Sequence, residues 1–80
     1  MSAAVRVQVH MHGNLRRFMA GGADRAVLEL APGTTVGALL GQLGATGHVW
    51  LVAVNGVAVE LDRVLGPGDR VDCFEPVAGG

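Results

Sequence analysis

Apolar and polar residues alternate near the start of the chain: Val5, Val7, Val9 and Met11 point one way, Arg6, Gln8 and His10 the other. A period of two predicts a strand with one buried face over residues 5–11. Residues 13–22, GNLRRFMAGG, begin and end in glycine and hold Leu15 and Phe18 three apart. They predict a single helical turn or compact loop pinned to the core. Residues 25–31 predict a second strand with Leu28 and Leu30 on one face, stopped by Pro32-Gly33. After a cap at Thr34 or Thr35, Val36, Leu39, Leu40 and Leu43 fall at the spacing of a helix with one apolar stripe. Gly44 and Gly47 end it. Gly37 and Gly41 inside it each cost about 1 kcal/mol relative to alanine, which suggests either a spot where the helix approaches something closely or a bias of composition.

Residues 50–54 predict a third strand, and Asn55-Gly56 a tight hairpin, because both central residues of a type I′ turn need positive φ. Residues 57–60 return as a fourth strand with Val54 opposite Val57. Val52, Val54, Val57 and Val59 then share the buried face, leaving Leu51, Ala53, Ala58 and Glu60 on the other. Residues 61–65 predict a short helical turn, and 66–69 a loop. Residues 70–75 are the last strand, with Val71 and Cys73 on one side and Asp72 and Phe74 on the other. The result is an α+β fold: a mixed sheet of about five strands with one main helix on one face. One domain fills residues 1–80, with 76–80 a flexible C-terminal tail. The uncovered face carries Arg6, Gln8 and His10 beside Leu51, Ala53 and Phe74, and apolar groups in that company are the anomaly.

Composition narrows the chemistry. The 80 residues carry a formal net charge of −1 with no basic block, which argues against a nucleic-acid partner. The longest apolar run, residues 49–54, is far short of the roughly 20 needed to cross a bilayer, so no membrane role is expected. One cysteine, Cys73, allows no internal disulfide and fits a reducing cytoplasm. There is no lysine, so a P-loop cannot be built, and any ATP must be bound by a partner. Ser2 is the sole serine, which leaves a serine triad implausible. Cys73 points at the helix as a buried structural thiol. Trp50 reads as core or rim packing; Arg16-Arg17 could grip an acidic partner or phosphate, or form a solvated turn. His10 and His12 could chelate a metal, but their third ligand would be His48 or a carboxylate that no motif places there. Solvated histidines, with no metal and no bound cofactor, are expected. The chain does not read as a self-contained enzyme.

The tail remains. Pro76 ends the last strand, and Val77-Ala78-Gly79-Gly80 shrinks in side-chain volume to nothing. Two residues without Cβ can thread a narrow channel and present the Gly80 carboxylate inside another protein's active site. Phe74, with Leu51 and Ala53, would dock that partner where Glu75, Pro76, Val77 and Ala78 lead away.

The ordered set of NLRRF, PGTTVGALLGQL, VAVNG, GPGDRV and terminal PVAGG resembles the MoaD and ThiS families of ubiquitin-like sulfur carriers, and MoaD more closely. Glu75 stands where MoaD proteins commonly have a further proline. The resemblance implies a β-grasp fold with the first and last strands parallel at the sheet centre. It also implies a mechanism. A ubiquitin-activating-type adenylyltransferase would use ATP to adenylate Gly80, and a persulfide donor would replace AMP to leave a thiocarboxylate. The acceptor would be the large subunit of molybdopterin synthase in molybdenum cofactor biosynthesis. A thiazole synthase, a tungsten cofactor or a dedicated pathway are the alternatives within this chemistry. A ubiquitin-like protein modifier and a plain β-grasp interaction module are the alternatives outside it.

Overall fold

The computed structural model describes residues 3–76. Its strands are β1 (Val5–Met11), β2 (Arg25–Leu30), β3 (Leu51–Val54), β4 (Val57–Val59) and β5 (Arg70–Phe74), with one α-helix, α1 (Val36–Leu43), among the described residues. The sheet order is β2-β1-β5-β3-β4. β1 and β5 run parallel at its centre, Val9 opposite Val71 and Met11 opposite Cys73, and the other pairs are antiparallel. This is the mixed sheet with one helix that the hydrophobic pattern predicts.

The core lies between α1 and one sheet face. Val7, Val9, Met11, Val52, Val54, Val71 and Cys73 are buried there against Val36, Leu39 and Leu40. Gly13–Phe18 forms the expected compact helical turn, a 3-10 turn whose Leu15 is fully buried. Thr35 caps α1, its side-chain oxygen accepting from the Ala38 amide at 3.1 Å. At the other end Gly44 adopts φ 74°, and the Gly44 and Ala45 amides donate to Gly41 O and Leu40 O. That is the paired-carbonyl ending glycine makes available.

Two expectations fail for physical reasons. Residues 61–65 form no helix; a single turn, with the Arg63 amide donating to Glu60 O at 3.2 Å, leads into a strap across the start of α1. The carbonyls of Leu61 and Arg63 accept from the Gly37 and Val36 amides, both at 2.9 Å, and Val64 bridges to Thr35. The strap thereby satisfies first-turn donors of α1 that have no partner within the helix. This explains one of the two helix glycines: a Cβ on Gly37 would sit 3.3 Å from Leu61 O, whereas Gly41 has only the Thr46 hydroxyl at 3.9 Å. The hairpin register is as expected, Val54 opposite Val57 and Val52 opposite Val59. Val57 is nevertheless 64% exposed, because β4 is the edge strand and its outer end escapes the helix.

The loop before β5 is clasped to the hairpin. Asp69 accepts from the Gly66 amide at 2.8 Å and from Asn55 Nδ2 at 2.9 Å, while Asn55 Oδ1 accepts from the Arg70 amide. The Gly66 bond first, then Asn55 and Arg63, hold the Asp69 carboxyl below its ordinary pKa against partial desolvation. β5 is thereby fixed in register before it reaches the sheet centre.

Candidate functional site

The uncovered sheet face collects the side chains that the alternation sends away from α1. Register places Leu51 opposite Phe74, Ala53 opposite Asp72, and Asp72 opposite His10. Leu51, Ala53 and Phe74 therefore lie together on this face, as expected, and each is half-buried. Phe74 is less exposed than its polar surroundings suggest. His12 stacks on it, centroids 4.4 Å apart and planes 13° from parallel, and the His10 ring centroid lies 3.9 Å from that of His12. His12 reaches this position because its amide donates to Cys73 O, continuing the β1–β5 pairing one residue past the strand.

The same pairing brings a carboxylate to the two histidines. Asp72 Oδ1 lies 2.9 Å from His12 Nε2 and 3.4 Å from His10 Nδ1. Of the two possible third ligands, His48 or a carboxylate that no motif announces, the fold brings the carboxylate. His48 is elsewhere, its ring 5.0 Å from Phe18 and its Nδ1 3.4 Å from Arg17. Arg17 also spans Phe18, its guanidinium carbon 4.5 Å from the ring centroid, and donates to Asn14 O. Trp50, expected in the core or its rim, is 66% exposed at the start of β3.

Beyond Phe74 the chain is anchored before it leaves the sheet. The Glu75 carboxylate accepts from the Asn14 amide at 2.8 Å and rests against Gly13, where a Cβ would occupy its place. Gly13 also has φ 63°, a left-handed conformation suited to glycine. Glu75 is thus an anchor for the strand's exit, a role no local sequence signal reveals because its partner lies 61 residues away. Pro76 is exposed. Val77, Ala78, Gly79 and Gly80, the proposed threading segment and reactive terminus, lie outside the described residues.

Cys73 is fully buried on the helix side. Desolvation, with the Asp72 charge adding to it, pushes its thiol from an ordinary 9.0 up to about 11. At neutral pH it is a protonated packing group, since the thiolate is the reactive form.

Residues 9–80 match the sequence model of the ThiS family. The chain belongs to the ThiS family. Among solved structures, this ThiS-family chain is similar to a Pyrococcus furiosus protein assigned as molybdopterin converting factor, subunit 1. Identity is 28% with a TM-score of 0.74, over 91% of this chain and 99% of that one. It shares its fold with small archaeal modifier protein 1 of Haloferax volcanii, at 22% identity, TM-score 0.73, and 91% and 99% coverage. Caldiarchaeum subterraneum ubiquitin aligns at 20% identity and TM-score 0.62, over 96% and 99%. The fold is therefore the ubiquitin-like β-grasp. No curated protein matches the chain. ThiS-family carriers work with activating enzymes and acceptor enzymes, generally without a catalytic site of their own. Among the described residues, no helix is long and apolar enough to cross a membrane.

Proposed function

We propose that this ThiS-family chain carries sulfur on Gly80 and delivers it as the small subunit of a molybdopterin synthase. The observation that carries the reading is the family match itself, which spans residues 9–80 and so takes in domain and glycine pair together. The similarity to the Pyrococcus furiosus subunit supports this destination over a thiazole synthase.

The chemistry follows from what a carboxylate lacks. The Gly80 carboxylate attacks the α-phosphorus of ATP held by the activating enzyme, and pyrophosphate leaves. The terminal sulfur of a donor persulfide attacks the resulting acyl-adenylate and expels AMP. A second thiol then cleaves the acyl persulfide, leaving a thiocarboxylate here and a disulfide on the donor. This chain supplies the docking patch of Phe74, Leu51 and Ala53, the Glu75 anchor that aims the exit, and Pro76, Val77, Ala78 and Gly79 as the arm. It binds no cofactor in these steps; ATP belongs to the activating enzyme.

Coexpression with a cognate activating enzyme and sulfur donor should replace one oxygen of Gly80 by sulfur in the intact-protein mass. An unmodified terminus under conditions that charge a known carrier would refute the reading. A second reading, conjugation to other proteins, draws on the fold shared with the archaeal modifier. It requires this chain to be found on lysines of other proteins. Having no lysine, the chain cannot form polymers of itself through such side chains.

A further inference from the structure

We propose that His10, His12 and Asp72 form a binding site for a borderline divalent transition ion, Zn²⁺ being the best match, on the open face of the sheet. One ligand atom from each residue lies within 4.8 Å of the other two. Ligands at the usual distances from one zinc ion are separated by about 2.9 Å at a right angle and about 3.4 Å at the tetrahedral angle. The two imidazole–carboxylate separations, 2.9 and 3.4 Å, already fall there. Drawing the imidazoles together is a matter of side-chain rotation, since the backbones are fixed by the β1–β5 register.

Three features of the surroundings favour an ion over three solvated side chains. Asp24 Oδ2 lies 3.9 Å from the second nitrogen of His10, too far for a hydrogen bond but close enough to add negative charge beside the site. Asp24 is itself held beside β1, its carbonyl accepting from the Met11 amide. Arg70 lies 3.6 Å from Asp72 Oδ2, leaving Oδ1 to both histidines. Phe74 stacks on His12, 4.4 Å between centroids. The ligands are also partly shielded, with side chains 27%, 34% and 17% exposed for His10, His12 and Asp72. Two imidazoles and a carboxylate suit zinc, cobalt or nickel better than the hard cations, which prefer all-oxygen shells. With three protein ligands the outward position stays open to water or to a donor from a docked protein.

The test is titration of the intact, chelator-treated protein with Zn²⁺ at neutral pH. Calorimetry should show one saturable site per chain in roughly the micromolar range. Imidazole NMR signals of His10 and His12 should shift together in the unsubstituted protein, with His48 unmoved. His10→Gln, His12→Gln and Asp72→Asn should each weaken binding by at least about tenfold, while His48→Gln leaves it unchanged. The proposal is overturned if no saturable site is found, if the largest shifts fall on His48, or if the affinity survives loss of both His10 and His12. The imidazole shifts decide the matter even if a variant folds poorly.

Discussion

The two faces of the sheet are written by the same strands in strict alternation, yet they solve different problems. On the covered face, Val7, Val9, Val71 and Cys73 are sealed under Leu39 and Val36, and each is defined by shape and dryness. On the open face, His10, His12, Asp72 and Phe74 lie one residue out of phase with them and are defined by mutual orientation: a ring stack and a shared carboxylate. The covered face holds the domain together. The open face can be read, docked against and altered at small cost to the fold, because its groups are already partly hydrated.

Substitution should separate the faces, and the largest effect belongs to the covered one. Leu39→Ala, at a fully buried site, should lose about 2–5 kcal/mol in urea unfolding. A loss below about 1 kcal/mol would mean the helix face is not the core.

Next comes alkaline pH. With its folded pKa raised above the unfolded value, Cys73 keeps its proton in the native state while the unfolded chain gives its own up. Stability is therefore intact below pH 9.0 and falls as pH rises towards about 11. The loss should reach roughly 2–3 kcal/mol. Cys73→Ala should flatten that slope in a series of denaturation midpoints; an unchanged slope would assign it to other groups.

A smaller effect is expected where the open face meets the exit of β5. Gly13→Ala and Gly21→Ala both place alanine at positive φ, 63° and 67°, but only at Gly13 does the new Cβ meet the Glu75 carboxylate. Both should destabilise through backbone strain. Gly13→Ala should cost about 1 kcal/mol more for the displaced hydrogen bond to Asn14. Combining it with Glu75→Ala should remove most of that excess; equal costs for the two single variants would show that the anchor contributes nothing.

The smallest change in stability should follow Phe74→Ala, about 1 kcal/mol in thermal unfolding, since the ring is half-buried on the open face and stacks on His12 rather than packing in the core. Binding to an activating or acceptor enzyme should fall far more. If the domain instead lost as much as with Leu39→Ala, the division between the faces would be wrong.

Much of this is legible in the chain because it is local. The alternation of residues 5–11, the Asn55-Gly56 turn, the Thr35 cap and the Gly44 ending each depend on neighbours a few positions away, and each stands where the pattern puts it. Residues 61–65 mislead because the side chains of a short segment say nothing about where its carbonyls go, and here they serve another element. Val57 alternates correctly and is exposed all the same, since alternation assigns a face but not how far the helix extends over it.

By itself, then, the sequence determined the elements, the two faces and the family, because side-chain period and turn chemistry act within a few residues. Only the tertiary structure decided which distant residues meet. His12 and Asp72 are 60 positions apart, and Asn14 and Glu75 are 61. Parallel pairing of the first and last strands is what joins them. Its register is set by packing under α1 and by the Asn55–Asp69 clasp, neither of which leaves a mark at the residues it brings together.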